Sequence, residues 1–248
     1  MLLTSIGSHA QYGRFFSADK EISNSLMYQI HQDRNEIIWI VTEDGLNCYD
    51  GSKFTIYKHN KKDSLSLKDN FVHAVYEDSQ GRLFVGMFHG LQLYDYATET
   101  FRDIPMINNE GNTITPHVST FVERQNGDIL IGTAGEGIYI LSPDEGNLHA
   151  KQINRIVPSL FILALYEDRD SNLWVSTEDK GLCRLTDDNK LKLYYIHNIS
   201  SICEDQENNI LIGSMSHGLF RRDKNTDTFI AIPYAGNPNL PIKTLYPN

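Results

Sequence analysis

Along the chain, short apolar runs alternate with polar turns, and they do so in a fixed order that recurs five times. One clear copy is Val72-His73-Ala74-Val75-Tyr76-Glu77-Asp78: apolar or small residues lead up to an acidic pair. A turn of Ser, Gln and Gly follows, then Leu83-Phe84-Val85-Gly86, then Leu91-Gln92-Leu93-Tyr94, and after a further polar turn a run begins near Phe101. Runs this short, separated by Gly, Asn, Asp and Ser, predict strands joined by hairpins.

Aligning the copies on the residue that closes the first run gives Asp33, Asp78, Arg124, Asp168 and Asp205, spaced by 45, 46, 44 and 37 residues. Six residues after each anchor stands Trp39, Phe84, Leu130, Trp174 or Leu211, and nine after stands Thr42, Met87, Thr133, Thr177 or Ser214. A Gly-apolar pair then opens the third run: Gly45-Leu46, Gly90-Leu91, Gly137-Ile138, Gly181-Leu182 and Gly218-Leu219. Four antiparallel strands in about 45 residues make one propeller blade. A period already filled by strands leaves no room for crossover helices, which excludes an α/β fold. The expected fold is therefore all-β: a β-propeller of about five four-stranded antiparallel blades plus flanking strands, spanning 14–248 as an incomplete ring. A sixth copy begins near Pro241, and Asn248 falls on its anchor position, so the chain reads as part of a longer one.

Each repeated residue has a structural reason. The large side chain at plus six fills the wedge between blades. The glycine suits a positive φ or a close backbone approach. The Thr or Ser at plus nine bonds loop backbone, and the anchor Asp accepts turn amides. Glu77, Glu123, Glu167 and Glu204, at one repeated position before the anchor, read as scaffold. Asp168-x-Asp170-x-Asn172, with Asp179 further on, resembles a calcium loop in spacing. It lacks the loop glycine, however, and places the core Trp174 at the seventh position.

Composition narrows the function. The net charge of −10, without a basic block, disfavours nucleic acid and anionic lipid as partners of this segment. No run of 18 apolar residues is present to span a membrane. Residues 1–13 read either as a signal-peptide remnant ending at Ser8-His9-Ala10 or as a disordered N-terminus. Cys48, Cys183 and Cys203 lie in apolar runs without paired spacing and read as small buried hydrophobes. No cofactor or metal motif is found among the nine histidines.

The repeat E-D-x-x-G-x-L-W-I-G-T-x-x-G-L-x-x-Y-D is legible in Glu77-Asp78-Ser79-Gln80-Gly81-Arg82-Leu83-Phe84-Val85-Gly86 and in Gly90-Leu91-Gln92-Leu93-Tyr94-Asp95. It is also legible in Trp39-Ile40-Val41-Thr42 and in Gly45 through Gly51 of the first copy. This resembles the two-component regulator propeller repeat, found in the periplasmic sensor region of hybrid two-component histidine kinases of Bacteroidetes, over residues 14–248. Phe84, Leu130 and Leu211 depart from the Trp, and Arg124 from the Asp. The resemblance implies a non-enzymatic, periplasmic sensor that detects a glycan-derived oligosaccharide. Its partners would be the remainder of the sensor chain and, as a further possibility, a second copy.

Loops joining second to third strands share a face with the starts of the first strands. A sugar site is expected there, from Asp44, His89, Glu136, Lys180 and His217 in the loops and Phe71, His117 and His197 near the strand starts. Two alternatives stand beside this reading. One is a propeller lyase or lactonase with an axial metal, for which the equivalent first-strand residues Tyr28, His73, Ser119, Leu163 and Ser200 are too dissimilar to form a ligand ring. The other is a purely structural interaction propeller.

Overall fold

The computed structural model describes residues 16–17, 21–141, 148–153, 156–157, 159–186, 188, 190–233 and 240–246. The reading of residues 1–13 and the anchor position of Asn248 lie outside them. Five antiparallel sheets follow one another in chain order. Blade 1 comprises Met27–Gln32, Ile38–Thr42, Gly45–Tyr49 and Phe54–Tyr57, and blade 2 Val72–Glu77, Leu83–Met87, Gly90–Asp95 and Thr100–Ile104. Blade 3 comprises Val118–Glu123, Ile129–Thr133, Ile138–Leu141 and Ala150–Gln152. Blade 4 comprises Ile162–Glu167, Leu173–Thr177, Gly181–Leu185 and Leu191–Tyr194, and blade 5 Ile199–Glu204, Ile210–Ser214, Gly218–Asp223 and Thr228–Ile232. Blade 3 carries two additional short strands, Met106–Ile107 and Thr113–Ile114, the former parallel to Ala150–Gln152. The long link from blade 2 thus pairs its backbone groups on the outer edge, where they would otherwise stay unsatisfied.

The core lies between blades. Trp39 and Trp174 are fully buried, as are Phe84, Leu83 and Met87. Trp39 packs with Val72, Val75, Val85 and Phe101 of blade 2, and Trp174 with Ile199, Ile210 and Ile212 of blade 5. Cys48, Cys183 and Cys203 are buried free thiols. Leu211 departs from the wedge expectation and is only half-buried. No blade lies beyond it among the described residues, and a cavity of about 510 Å³ separates its face from Leu245 and Tyr246.

The anchor aspartates do more than brace turns. Asp33 Oδ1 accepts the amides of Asn35 and Ile37, while Oδ2 accepts the Trp39 indole N–H at 2.9 Å. Asp168 repeats this, with the Trp174 indole N–H at 2.8 Å. Where the residue at plus six has no N–H to give, as with Phe84 and Leu211, another donor serves: Arg82 Nε on Asp78 at 2.6 Å, Asn209 Nδ2 on Asp205 at 3.0 Å. The calcium-like oxygens of Asp168 are thus engaged by Asn172, Trp174 and turn amides. Three residues past each anchor the chain takes a positive φ, at Glu36, Gly81, Gly127, Ser171 and Asn208.

The repeated glutamates staple consecutive blades. Glu77 accepts the Arg34 amide and Nε, each at 2.9 Å. Glu123 accepts the amide and hydroxyl of Ser79, Glu167 the Gln125 amide and Arg124 Nε, and Glu204 the Arg169 amide. Each carboxylate reaches back to the turn of the blade before it, which accounts for its recurrence. Such bonds to a charged acceptor contribute about 1.5–3 kcal/mol apiece.

The second strands of blades 2, 3 and 5 carry a glycine where the next segment approaches. A Cβ on Gly86 would lie 2.5 Å from Val118 Cγ1, one on Gly132 2.7 Å from Ile162 Cγ2, and one on Gly213 2.5 Å from Ile242 Cγ2. Segment 240–246 therefore docks on blade 5 as each first strand docks on the blade before it. It forms no strand ladder there, yet Ile242 N–H donates to Ser214 O, and Lys243 Nζ and Tyr246 OH donate to Met27 O and Ile30 O of blade 1. The five sheets do not close into a ring by strand pairing. This segment spans the interval between blades 5 and 1.

Candidate functional site

Every first strand has the same irregularity. Its register against the second strand shifts between Met27 and Gln29, Val72 and Ala74, Val118 and Thr120, Ile162 and Ala164, and Ile199 and Ser201. The residue skipped in each case is Tyr28, His73, Ser119, Leu163 or Ser200. A β-bulge re-aims the side chain that it carries. All five of these residues line one cavity of about 490 Å³ at the propeller axis, a volume typical of small-molecule sites.

The cavity opens on the face that carries the loops between second and third strands. Those loops reach the next blade: Gly45 N–H donates to Asn70 O, Gly90 N–H to Pro116 O and Gly137 N–H to Leu160 O. Their glycines have φ of 124° at Gly45, 104° at Gly90 and 75° at Gly137. Thr42, Thr133 and Thr177 donate their hydroxyls to Gly45, Gly137 and Gly181 carbonyls. Ser214 differs and donates to His197 O.

Three of the eight residues expected at a site come together here. Phe71 stacks on Phe88 with centroids 5.7 Å apart and planes 6° apart, and both rings contact His117, at 5.9 and 5.1 Å. His117 Nε2 and His73 Nδ1 share a hydrogen bond of 3.1 Å, and Tyr28 stacks on His73 at 4.8 Å. His89 lies against Phe88 and pairs through Nδ1 with the Asp69 carboxylate. Asp44 sits at the edge of this group, held by Lys58 at 2.5 Å and by Asn70 Nδ2 at 3.2 Å. The remaining four lie elsewhere on the face. Glu136 lines a separate cavity of about 170 Å³ beside Gln152 and Leu160. Lys180 pairs with Asp179 at 3.3 Å. His217 bonds Ser216 Oγ, and its backbone shares Ser214 with His197.

Burial lowers the His73 pKa to about 4, with the neighbouring His117 adding to the effect, and burial lowers His117 as well. Both rings are neutral at pH 7, so one donates to the other. Burial, then the hydrogen bond to Glu43 at 2.7 Å, pushes the Tyr28 hydroxyl up to about 12. The platform is thus aromatic and neutral, with Phe88 44% exposed. Phe161 and Met215 bring further exposed apolar surface from blades 4 and 5. Stacked rings beside hydroxyls, imidazoles and a paired carboxylate suit a ligand with apolar faces and polar edges.

Phe88 and Asp69 are absent from the sequence-derived set, and the five bulge residues entered it only as equivalent first-strand positions weighed as axial metal ligands. Phe88 was detectable as an aromatic in the loop just before a Gly-apolar pair. The bulges were not, because a one-residue register shift leaves no mark on composition.

Fold and site together define an open β-propeller with an aromatic and polar axial pocket. The profile of the two-component regulator propeller matches residues 66–89 and 156–179, which hold the first and second strands of blades 2 and 4. Histidine kinase P4 from Formosa agariphila is 28% identical over 233 residues, covering 85% of this chain and 16% of that protein. The extracellular domain of a hybrid two-component system from B. thetaiotaomicron is 26% identical, with a TM-score of 0.77 over 88% of this chain and 31% of its own. The chain therefore spans less than a third of either relative. Virginiamycin B lyase from Staphylococcus aureus shares the fold alone, at 14% identity and a TM-score of 0.63 over 86% of this chain and 72% of that one.

Proposed function

We propose that this chain is a ligand-sensing propeller of a hybrid two-component receptor. Its place is outside the cytoplasm, in the periplasm, and its ligand is a glycan-derived oligosaccharide bound at the mouth of the axial cavity. The sensor assignment is supported by the repeat family and by the extracellular domain that shares both fold and sequence. The single observation that carries the ligand reading is the Phe71–Phe88–His117–His73–Tyr28 platform leading into the cavity. Pyranose rings present an apolar face to such aromatics and hydroxyls to the imidazoles. The remainder of the sensor chain is the natural partner for transmitting occupancy, and a second copy is a further one.

The domain performs no chemistry under this reading. An axial metal would need converging ligands, and the axis offers Tyr28, His73, Ser119, Leu163 and Ser200, of which only His73 is a common ligand. Titration calorimetry of the wild type against neutral and acidic oligosaccharides tests the proposal. Binding that weakens at least about tenfold in Phe88→Ala, an exposed substitution that spares the core, is expected. No binding by the wild type to any oligosaccharide, or unchanged binding by the variant, removes it.

A further inference from the structure

The axis has a sixth position. Ile242 packs on Gly213 as Val118 packs on Gly86 and Ile162 on Gly132. Ser200 Oγ donates to Ile242 O as Ser119 Oγ donates to Ile162 O. Lys243 follows Ile242 as Ser119 follows Val118 and Leu163 follows Ile162, and it lines the same cavity. The axial set is therefore Tyr28, His73, Ser119, Leu163, Ser200 and Lys243, and Lys243 is its one formal charge.

Resting on the reading that a ligand enters from this face, we propose that the axial cavity receives an anionic group of that ligand, a carboxylate or a sulfate ester, and that Lys243 holds it. The protein carries a net charge of −10, yet none of the described residues lining this cavity is an Asp or Glu. Lys243 Nζ spends one N–H on Met27 O at 2.6 Å and lies 5.9 Å from the Tyr28 ring centroid. An ammonium group has three donors, so two remain for a ligand. The carbonyl and the aromatic face hold the ammonium in place without neutralising it. Nearby rim carboxylates are already engaged: Glu43 by Tyr28, Asp44 by Lys58, Asp69 by His89. A fixed cation in a recessed, low-dielectric pocket focuses the field on an entering anion.

The test is calorimetric titration of the full chain with a uronate-terminated disaccharide, a sulfated disaccharide and the neutral disaccharide of the same linkage. Sodium sulfate alone is followed by the NMR shift of the lysine side chains. At least one acidic disaccharide should bind about tenfold or more tightly than the neutral one. That advantage should vanish in Lys243→Met, persist in Lys243→Arg, and shrink as NaCl rises from about 50 to about 500 mM. Melting curves report whether Lys243→Met keeps the fold, and the salt dependence of the wild type carries the test if it does not. Equal binding of neutral and acidic sugars, or indifference to Lys243, overturns the anionic site and leaves the sensor reading intact. A Lys243-dependent response to sulfate with no sugar bound upholds the anionic site and removes the oligosaccharide. No response to any probe overturns both.

Discussion

Gly86 tests whether the blades meet as closely as the packing requires. Its backbone is not in the left-handed region, so alanine is conformationally admissible there. On conformational entropy alone, Gly86→Ala would stabilise by about 0.4–1 kcal/mol. The new Cβ would, however, lie 2.5 Å from Val118 Cγ1, 3.0 Å from Val118 Cβ and 3.2 Å from Phe121 Cε2. Val118 is fully buried and starts the first strand of blade 3, so it cannot swing away. Overpacking of this kind costs about 1–3 kcal/mol. The net expectation is a destabilisation of about 1–2 kcal/mol, or roughly 2–8 °C in melting temperature for a chain of this size. Val118→Ala alone should cost about 2 kcal/mol through lost burial and a cavity. In the double variant the two small groups share the space, so the combined loss should fall short of the sum by about 1 kcal/mol. Urea denaturation followed by the fluorescence of Trp39 and Trp174 provides the readout, since both are fully buried. A Gly86→Ala protein as stable as the wild type, or strict additivity within about 0.5 kcal/mol, would refute the close approach of blades 2 and 3.

Other expectations follow from the same contacts. Asp168→Ala removes the acceptor of two turn amides and the Trp174 indole, and should destabilise by about 2–4 kcal/mol in denaturant titration, against about 1–2 for Trp174→Phe. Ser171 holds a φ of 62° where two sister turns use glycine, so Ser171→Gly should raise stability by about 1 kcal/mol on the same assay. His73 titrates near 4 in the folded protein against its ordinary 6.5. The unfolded chain therefore binds the proton first, and stability should fall as pH drops from about 6.5 towards 4. Melting temperatures of the wild type and His73→Gln across that window should converge at the acidic end. Gly213→Ala should push Ile242, and Lys243 with it, off blade 5, weakening any acidic ligand more than a neutral one in calorimetry.

Much of the framework was legible in the chain before any coordinate. Local rules decide it: an acid that caps a turn, a wedge residue six places on, a hydroxyl at nine and a glycine that takes a positive φ. Each acts within its own blade, so its spacing survives in the sequence, and five copies make it unmistakable. Two contributions crossed between residues that the sequence could not pair. The indole N–H of Trp39 and Trp174 on the anchor Asp is one, and the glutamate that reaches the preceding turn is the other. Their positions were visible, but their partners were not, because a repeat shows what recurs without showing what it touches.

The site divides in the same way. Phe71, His89 and His117 cluster because they sit at strand starts and loop ends, which the repeat locates, in the adjoining blades 2 and 3. Glu136, Lys180, His197 and His217 occupy equivalent places yet stay apart, because the loops of blades 3, 4 and 5 turn to their own partners. What the sequence determined by itself was the unit: four strands, their turns and the residues that fill the wedge. What only the tertiary structure decided was how the axial positions already aligned in the repeats, Tyr28, His73, Ser119, Leu163 and Ser200, share one cavity, and that Lys243 joins them. A bulge in each first strand turns one side chain inward, and curvature brings those five positions together with Lys243, some 215 residues from Tyr28, around a single cavity. Register and curvature arise from contacts between blades, and no window of sequence shorter than the whole repeat array contains them.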